Sequence, residues 1–190
     1  MSHKPLTDSM LGTWACWTLG FVAFPLAGIA GRAVTGPVDS PTAALLGGLI
    51  TGIVIGSGQW LASGRRLGWS RWIPATAVGM AAGLLAGAVT VDFNTGLAEL
   101  AVMGAVTGVF LGLAQALALP GTARRRWAWV LAMPVLWALG WTVTTLAGVD
   151  VVSRYTVFGA SGAITVSAAS GLVFLFVLPQ TARTTVASAA

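Results

Sequence analysis

Apolar residues in this chain do not alternate with polar ones; they run on in long uncharged blocks. Six such blocks, 9–31, 41–64, 72–91, 100–123, 127–149 and 155–182, contain no Asp, Glu, Lys, Arg or His. Each reaches the roughly 20 residues that a helix needs to cross the hydrocarbon layer of a bilayer. The pattern predicts an all-α integral membrane fold. Its six transmembrane helices fall at about 10–31, 41–62, 72–91, 98–119, 127–148 and 155–178. Little chain lies between these spans, so 1–190 reads as a single polytopic membrane domain.

Within the blocks, small residues recur. Gly48, Thr51, Gly52, Gly56, Gln59 and Leu61 map at a constant offset onto Gly104, Thr107, Gly108, Gly112, Gln115 and Leu117. A second pair of matches follows spans four and six. There Leu119-Pro120-Gly121-Thr122-Ala123-Arg124 parallels Leu178-Pro179-Gln180-Thr181-Ala182-Arg183. In that register Gly112 aligns with Gly171, and Gln115 with Phe174. The odd spans each open with tryptophan (Trp14, Trp72, Trp129) and each contain a proline (Pro25, Pro74, Pro134). Val-Asp recurs in the three connections that follow them, at 38–39, 91–92 and 149–150. The chain therefore reads as three tandem two-helix hairpins inserted in one orientation, an internal repeat about an axis along the membrane normal. A pseudo-threefold bundle is the expected arrangement.

On a helix, Gly48, Gly52 and Gln59 fall close to one line, with Gly56 on its shoulder, and Gly104, Gly108, Gly112 and Gln115 repeat the pattern. Lipid tails are as apolar as leucine, so bulky side chains add little drive to helix association there. Small residues at GxxxG-type spacing instead let backbones approach. Gly48, Gly52, Gly56, Gly104, Gly108, Gly112 and Gly171 are thus candidate packing positions or the floor of a groove. Gln59 and Gln115 need hydrogen-bond partners inside the membrane, either on a neighbouring helix or on a ligand.

Charge adds orientation. Only 8% of residues are charged, against about 25% in soluble domains, and mean hydropathy is +0.86. Eight of the ten Lys and Arg residues fall on one side: Lys4, Arg65, Arg66, Arg71, Arg124, Arg125, Arg126 and Arg183. The positive-inside rule makes that side cytoplasmic, with both termini there, in a bacterial-type inner membrane. The basic balance accordingly implies a lipid bilayer as partner and no nucleic acid. Seven tryptophans (Trp14, Trp17, Trp60, Trp69, Trp72, Trp127 and Trp129) lie near this boundary, where an interfacial belt is expected. Trp137 and Trp141 lie deeper, on one face of span five.

Candidate chemistry is sparse. The single histidine, His3, lies near the terminus, the single Cys16 has no partner cysteine, and no catalytic or metal-binding motif is present. No catalytic, cofactor-binding or metal-ligating residue is assigned, and an enzyme is not expected. The outer connections carry the remaining candidates: Asp39, Asp92, Glu99 and Asp150, with Arg32 and Arg154. The carboxylates suit a cation and the arginines an anion, but helix capping and loop solvation account for them more simply.

Two functional readings follow. The first is a non-enzymatic helical scaffold that binds an apolar small molecule, a lipid or a partner membrane subunit. The second rests on resemblance. The length and six spans, with Ala23-x-x-x-Ala27 in span one, resemble the substrate-binding subunits of energy-coupling-factor vitamin transporters. That resemblance implies a membrane transport component with an outer-face substrate site, docked through the small-residue motif.

Overall fold

The computed structural model describes residues 9–149 and 153–178. Asp150, Lys4, Arg183 and the second Leu-Pro-x-Thr-Ala-Arg stretch beyond Leu178 lie outside the described residues. The described chain is helical. α1 (Met10–Leu19) passes through one 3₁₀ turn, Gly20–Val22, into α2 (Ala23–Thr35). α3 (Pro41–Ala62), α4 (Trp69–Thr90), α5 (Leu97–Ala118), α6 (Ala123–Leu146) and α7 (Ala160–Val177) follow. Six segments, with α1 and α2 counted as one, are long and apolar enough to cross a membrane.

Local chemistry sets the helix ends. The Ser9 hydroxyl accepts from the Gly12 N–H at 2.9 Å, capping α1. Ser40 caps α3 in the same way through the Ala43 N–H at 3.3 Å, and Pro41 occupies the first helical turn, where its missing donor costs nothing. The 3₁₀ turn lies just ahead of Pro25. Proline offers no N–H to the carbonyl four residues back, here Phe21, so the helix tightens at that point.

The last span differs from its sequence expectation. α7 begins at Ala160, five residues later than the uncharged block suggests. Residues 153–159 form a non-helical segment instead, and Thr156, Val157 and Phe158 are buried within the bundle. Hydropathy registers only that a residue avoids water, so it scores a buried non-helical segment as it scores a helix. Valine and threonine disfavour the helix slightly, and Gly159 ends the segment as the residue before α7.

From α2 onward each helix packs on the next along the chain, and α1 returns to α7. The ring of spans encloses two filled levels. Toward the end that carries Arg65, Arg66 and Arg124–Arg126, three indoles meet: Trp17 of α1, Trp72 of α4 and Trp129 of α6. Their centroids are 6.4, 5.9 and 6.1 Å apart, and all three pairs are edge-on. Phe174 of α7 stacks on Trp17 at 4.0 Å. These tryptophans are buried. That corrects the expectation of a single interfacial belt: Trp69 and Trp127 are exposed, while Trp17, Trp72 and Trp129 form core. Toward the opposite end, the 153–159 segment fills the centre.

Candidate functional site

Close backbone approach governs the packing of α3 on α4 and of α5 on α6. A Cβ at Gly48 would lie 2.7 Å from the Met80 carbonyl, and one at Gly52 would lie 2.6 Å from the Ala77 Cα. On the second pair, a Cβ at Gly104 would meet the Trp137 carbonyl at 2.6 Å, and one at Gly108 the Pro134 Cα at 2.6 Å. Gly56, Gly112 and Gly171 are less confined: their nearest neighbours would be Thr76 Cβ at 3.1 Å, Met133 Cβ at 3.0 Å and Trp14 Cδ1 at 2.9 Å, all side-chain atoms.

The two glutamines meet each other. Gln115 Nε2 donates to Gln59 Oε1 at 3.1 Å and to Thr76 Oγ1 at 3.0 Å. Its Oε1 accepts from the Trp129 indole N–H at 3.0 Å, and Gln59 Oε1 accepts from the Trp72 indole N–H at 3.2 Å. The third buried indole, Trp17, donates to Ser170 Oγ at 3.0 Å. Each indole N–H of the aromatic cluster thus finds an acceptor on the even-numbered span beside it, counting α1 and α2 as the first span. The network leaves Gln115 with its amide donors and acceptor engaged inside the protein.

The outer candidates do not assemble into one site. Asp39 and Asp92 are exposed, Glu99 is half-buried on the first turn of α5, and Asp150 lies outside the described residues. Among the described residues no cluster of three acids, histidines or cysteines is placed to hold a metal ion. The arginines behave differently. Arg32 donates through Nη1 to the Ser153 carbonyl, and its guanidinium carbon lies 5.1 Å from the centre of the Tyr155 ring. Arg154 is half-buried, has φ +51°, and its carbonyl accepts from the Val38 N–H at 3.0 Å. Both arginines therefore fasten the 153–159 segment to α2 and to the connection after it.

That segment borders a feature that sequence reasoning missed. A cavity of about 260 Å³ lies between α2, α6 and the segment, lined by Phe24, Ile29, Trp141, Thr144, Tyr155 and Phe158 among others. An apolar cavity of about 150 Å³ suffices to hold benzene, so this one can hold a substantial apolar group. Thr144, in its wall, is buried, and its hydroxyl has no hydrogen-bond partner. Ile29 remains exposed at the outer surface of α2. Beyond Trp141 and Tyr155 lies a second hollow of about 20 Å³, lined also by Asn94, Thr95 and Arg154. The cavity is invisible in the sequence because the 153–159 segment that walls it reads there as helix.

Comparison with known proteins adds no relative: no family model matches the chain, and neither a curated protein nor a solved structure matches it.

Proposed function

We propose that this chain is a non-enzymatic multi-pass protein of a bacterial-type cell membrane, a rigid helical scaffold that binds an apolar small molecule or lipid in the cavity beside the 153–159 segment. Its termini lie in the cytoplasm, on the side of the arginine-rich connections. The scaffold is a triplicated hairpin, with the indoles of Trp17, Trp72 and Trp129 about its pseudo-threefold axis. Their edge-on contacts support that relation, as does the donation of Trp72 and Trp129 to the register-equivalent Gln59 and Gln115; Trp17 takes the third place and donates outside the repeat register, to Ser170.

The observation that carries the binding role is the 260 Å³ cavity with its aromatic and aliphatic lining. Apolar concavities with a few polar groups are the usual form of small-molecule sites. The glycine faces favour scaffolding over groove binding, because α4 and α6 already occupy them. The transport reading gains less support. Ala23 and Ala27, which a docking motif would leave free, are buried, and a Cβ placed on Gly58 of α3 would strike the Ala23 methyl.

Native mass spectrometry on gently extracted protein tests the proposal. A bound apolar species is expected on the wild type and is lost on Gly28→Leu, whose side chain enters the cavity. A species retained at the same occupancy in Gly28→Leu, with the protein still folded, places the ligand elsewhere and overturns the assignment.

A further inference from the structure

We infer that the ligand of this cavity is a single-chain anionic amphiphile, with its hydrocarbon among Phe24, Trp141, Val157 and Phe158 and a carboxylate or phosphate head at Arg154 and Arg32. The inference rests on the ligand-binding role proposed above and specifies its chemistry.

Two observations converge. The first is the shape of the space. The larger cavity is bounded mostly by carbon, whereas the smaller hollow has Asn94, Thr95 and Arg154 in its wall. Trp141 and Tyr155 line both, so the apolar chamber adjoins a small hollow whose wall, apolar over most of its extent, includes one guanidinium and two further polar side chains. A molecule with a hydrocarbon tail and a polar end matches that division. The smaller hollow has room for about one water-sized group, the scale of a headgroup oxygen.

The second is charge. Arg32 and Arg154 are the two cations that stand against the charge asymmetry of the chain. Both bracket Tyr155, where the two spaces adjoin: Arg154 precedes it in sequence, and the guanidinium of Arg32 lies over its ring at 5.1 Å. Among the described residues, neither is ion-paired with a carboxylate. Guanidinium groups bind carboxylate and phosphate oxygens through directed, charge-assisted hydrogen bonds, and these strengthen when water is partly excluded.

The test uses the full chain in phosphatidylcholine nanodiscs and three probes of one chain length: dodecanoate, dodecyl phosphate and dodecanol. Binding is read by titration calorimetry on the wild type, Arg154→Gln, Arg32→Gln and Ile29→Trp, the last of which blocks the cavity mouth from an exposed position. On the wild type, at least one anion is expected to bind about tenfold or more tightly than dodecanol, as one charge-assisted hydrogen bond implies. Preference for dodecyl phosphate marks a lipid-type phosphate head; preference for dodecanoate marks a fatty-acid-type head. Arg154→Gln is expected to erase the preference while dodecanol binding persists, and Ile29→Trp to weaken all three probes. Equal binding of the anions and dodecanol overturns the anionic assignment and leaves the apolar pocket standing. If no probe binds, or Ile29→Trp changes nothing, the pocket reading itself fails, and this inference with it.

Discussion

At the scale of single residues, Gln115 holds the most connected position in the membrane interior. It ties α5 to three other helices by donating to Gln59 and Thr76 and accepting from Trp129. Replacing it with leucine leaves the Trp129 N–H without its acceptor in a setting with little water to take over. A loss of about 1–3 kcal/mol is expected for the orphaned group. Unfolding of Gln115→Leu in a mixed-micelle titration measures it, and an unchanged midpoint would show that the network contributes nothing. Gln59→Leu should cost less than Gln115→Leu, since Gln59 is less deeply placed. That both glutamines need partners was legible from their position in uncharged spans. That they are each other's partner was not, because sequence spacing gives a residue's face on its own helix and not which face lies opposite. The tryptophans misled for a related reason. An indole satisfies the membrane boundary and a hydrogen-bonded core equally well, and the sequence carries no mark separating exposed Trp127 from buried Trp129.

At the scale of elements, backbone contact decides which glycines tolerate a methyl group. A Cβ on Gly108 would face the backbone of Met133 and Pro134, which can move only if the helix moves. A Cβ on Gly112 would come no nearer than 3.0 Å, to Met133 Cβ, with Val130 Cα at 3.3 Å, an intrusion that a small helix shift relieves. Gly108→Ala is therefore expected to destabilise by about 1–3 kcal/mol, the range for overpacking, and Gly112→Ala by clearly less. Gly52→Ala should resemble Gly108→Ala, and Gly56→Ala should resemble Gly112→Ala. Thermal denaturation of the four variants checks the ranking; a reversed order would mean that α3–α4 and α5–α6 separate with ease. Helix number and most helix ends were readable from uncharged blocks and from capping residues such as Ser40 with Pro41. The start of α7 was not, because residues 155–159 carry the same apolar character whether helical or not.

At the scale of the whole molecule, the proposed orientation makes opposite ends of the bundle accessible from opposite sides. In a Cys16→Ser background, Thr122→Cys and Asp39→Cys occupy exposed positions at the two ends. A membrane-impermeant maleimide added to intact cells is expected to label Asp39→Cys and spare Thr122→Cys; the opposite result reverses the topology. The bundle is closed differently at its two levels, by indoles at one and by a length of connecting chain at the other. The second closure has a consequence for measurement. Peptide groups in 154–158 do not belong to a helical ladder, so their protons exchange with solvent when this stretch alone loosens, without unwinding a neighbouring span. Deuterium uptake confined to a peptide covering Tyr155–Phe158 would thus register occupancy of the adjoining space. The protein in this way carries its own gauge of filling, readable without any attached reporter group.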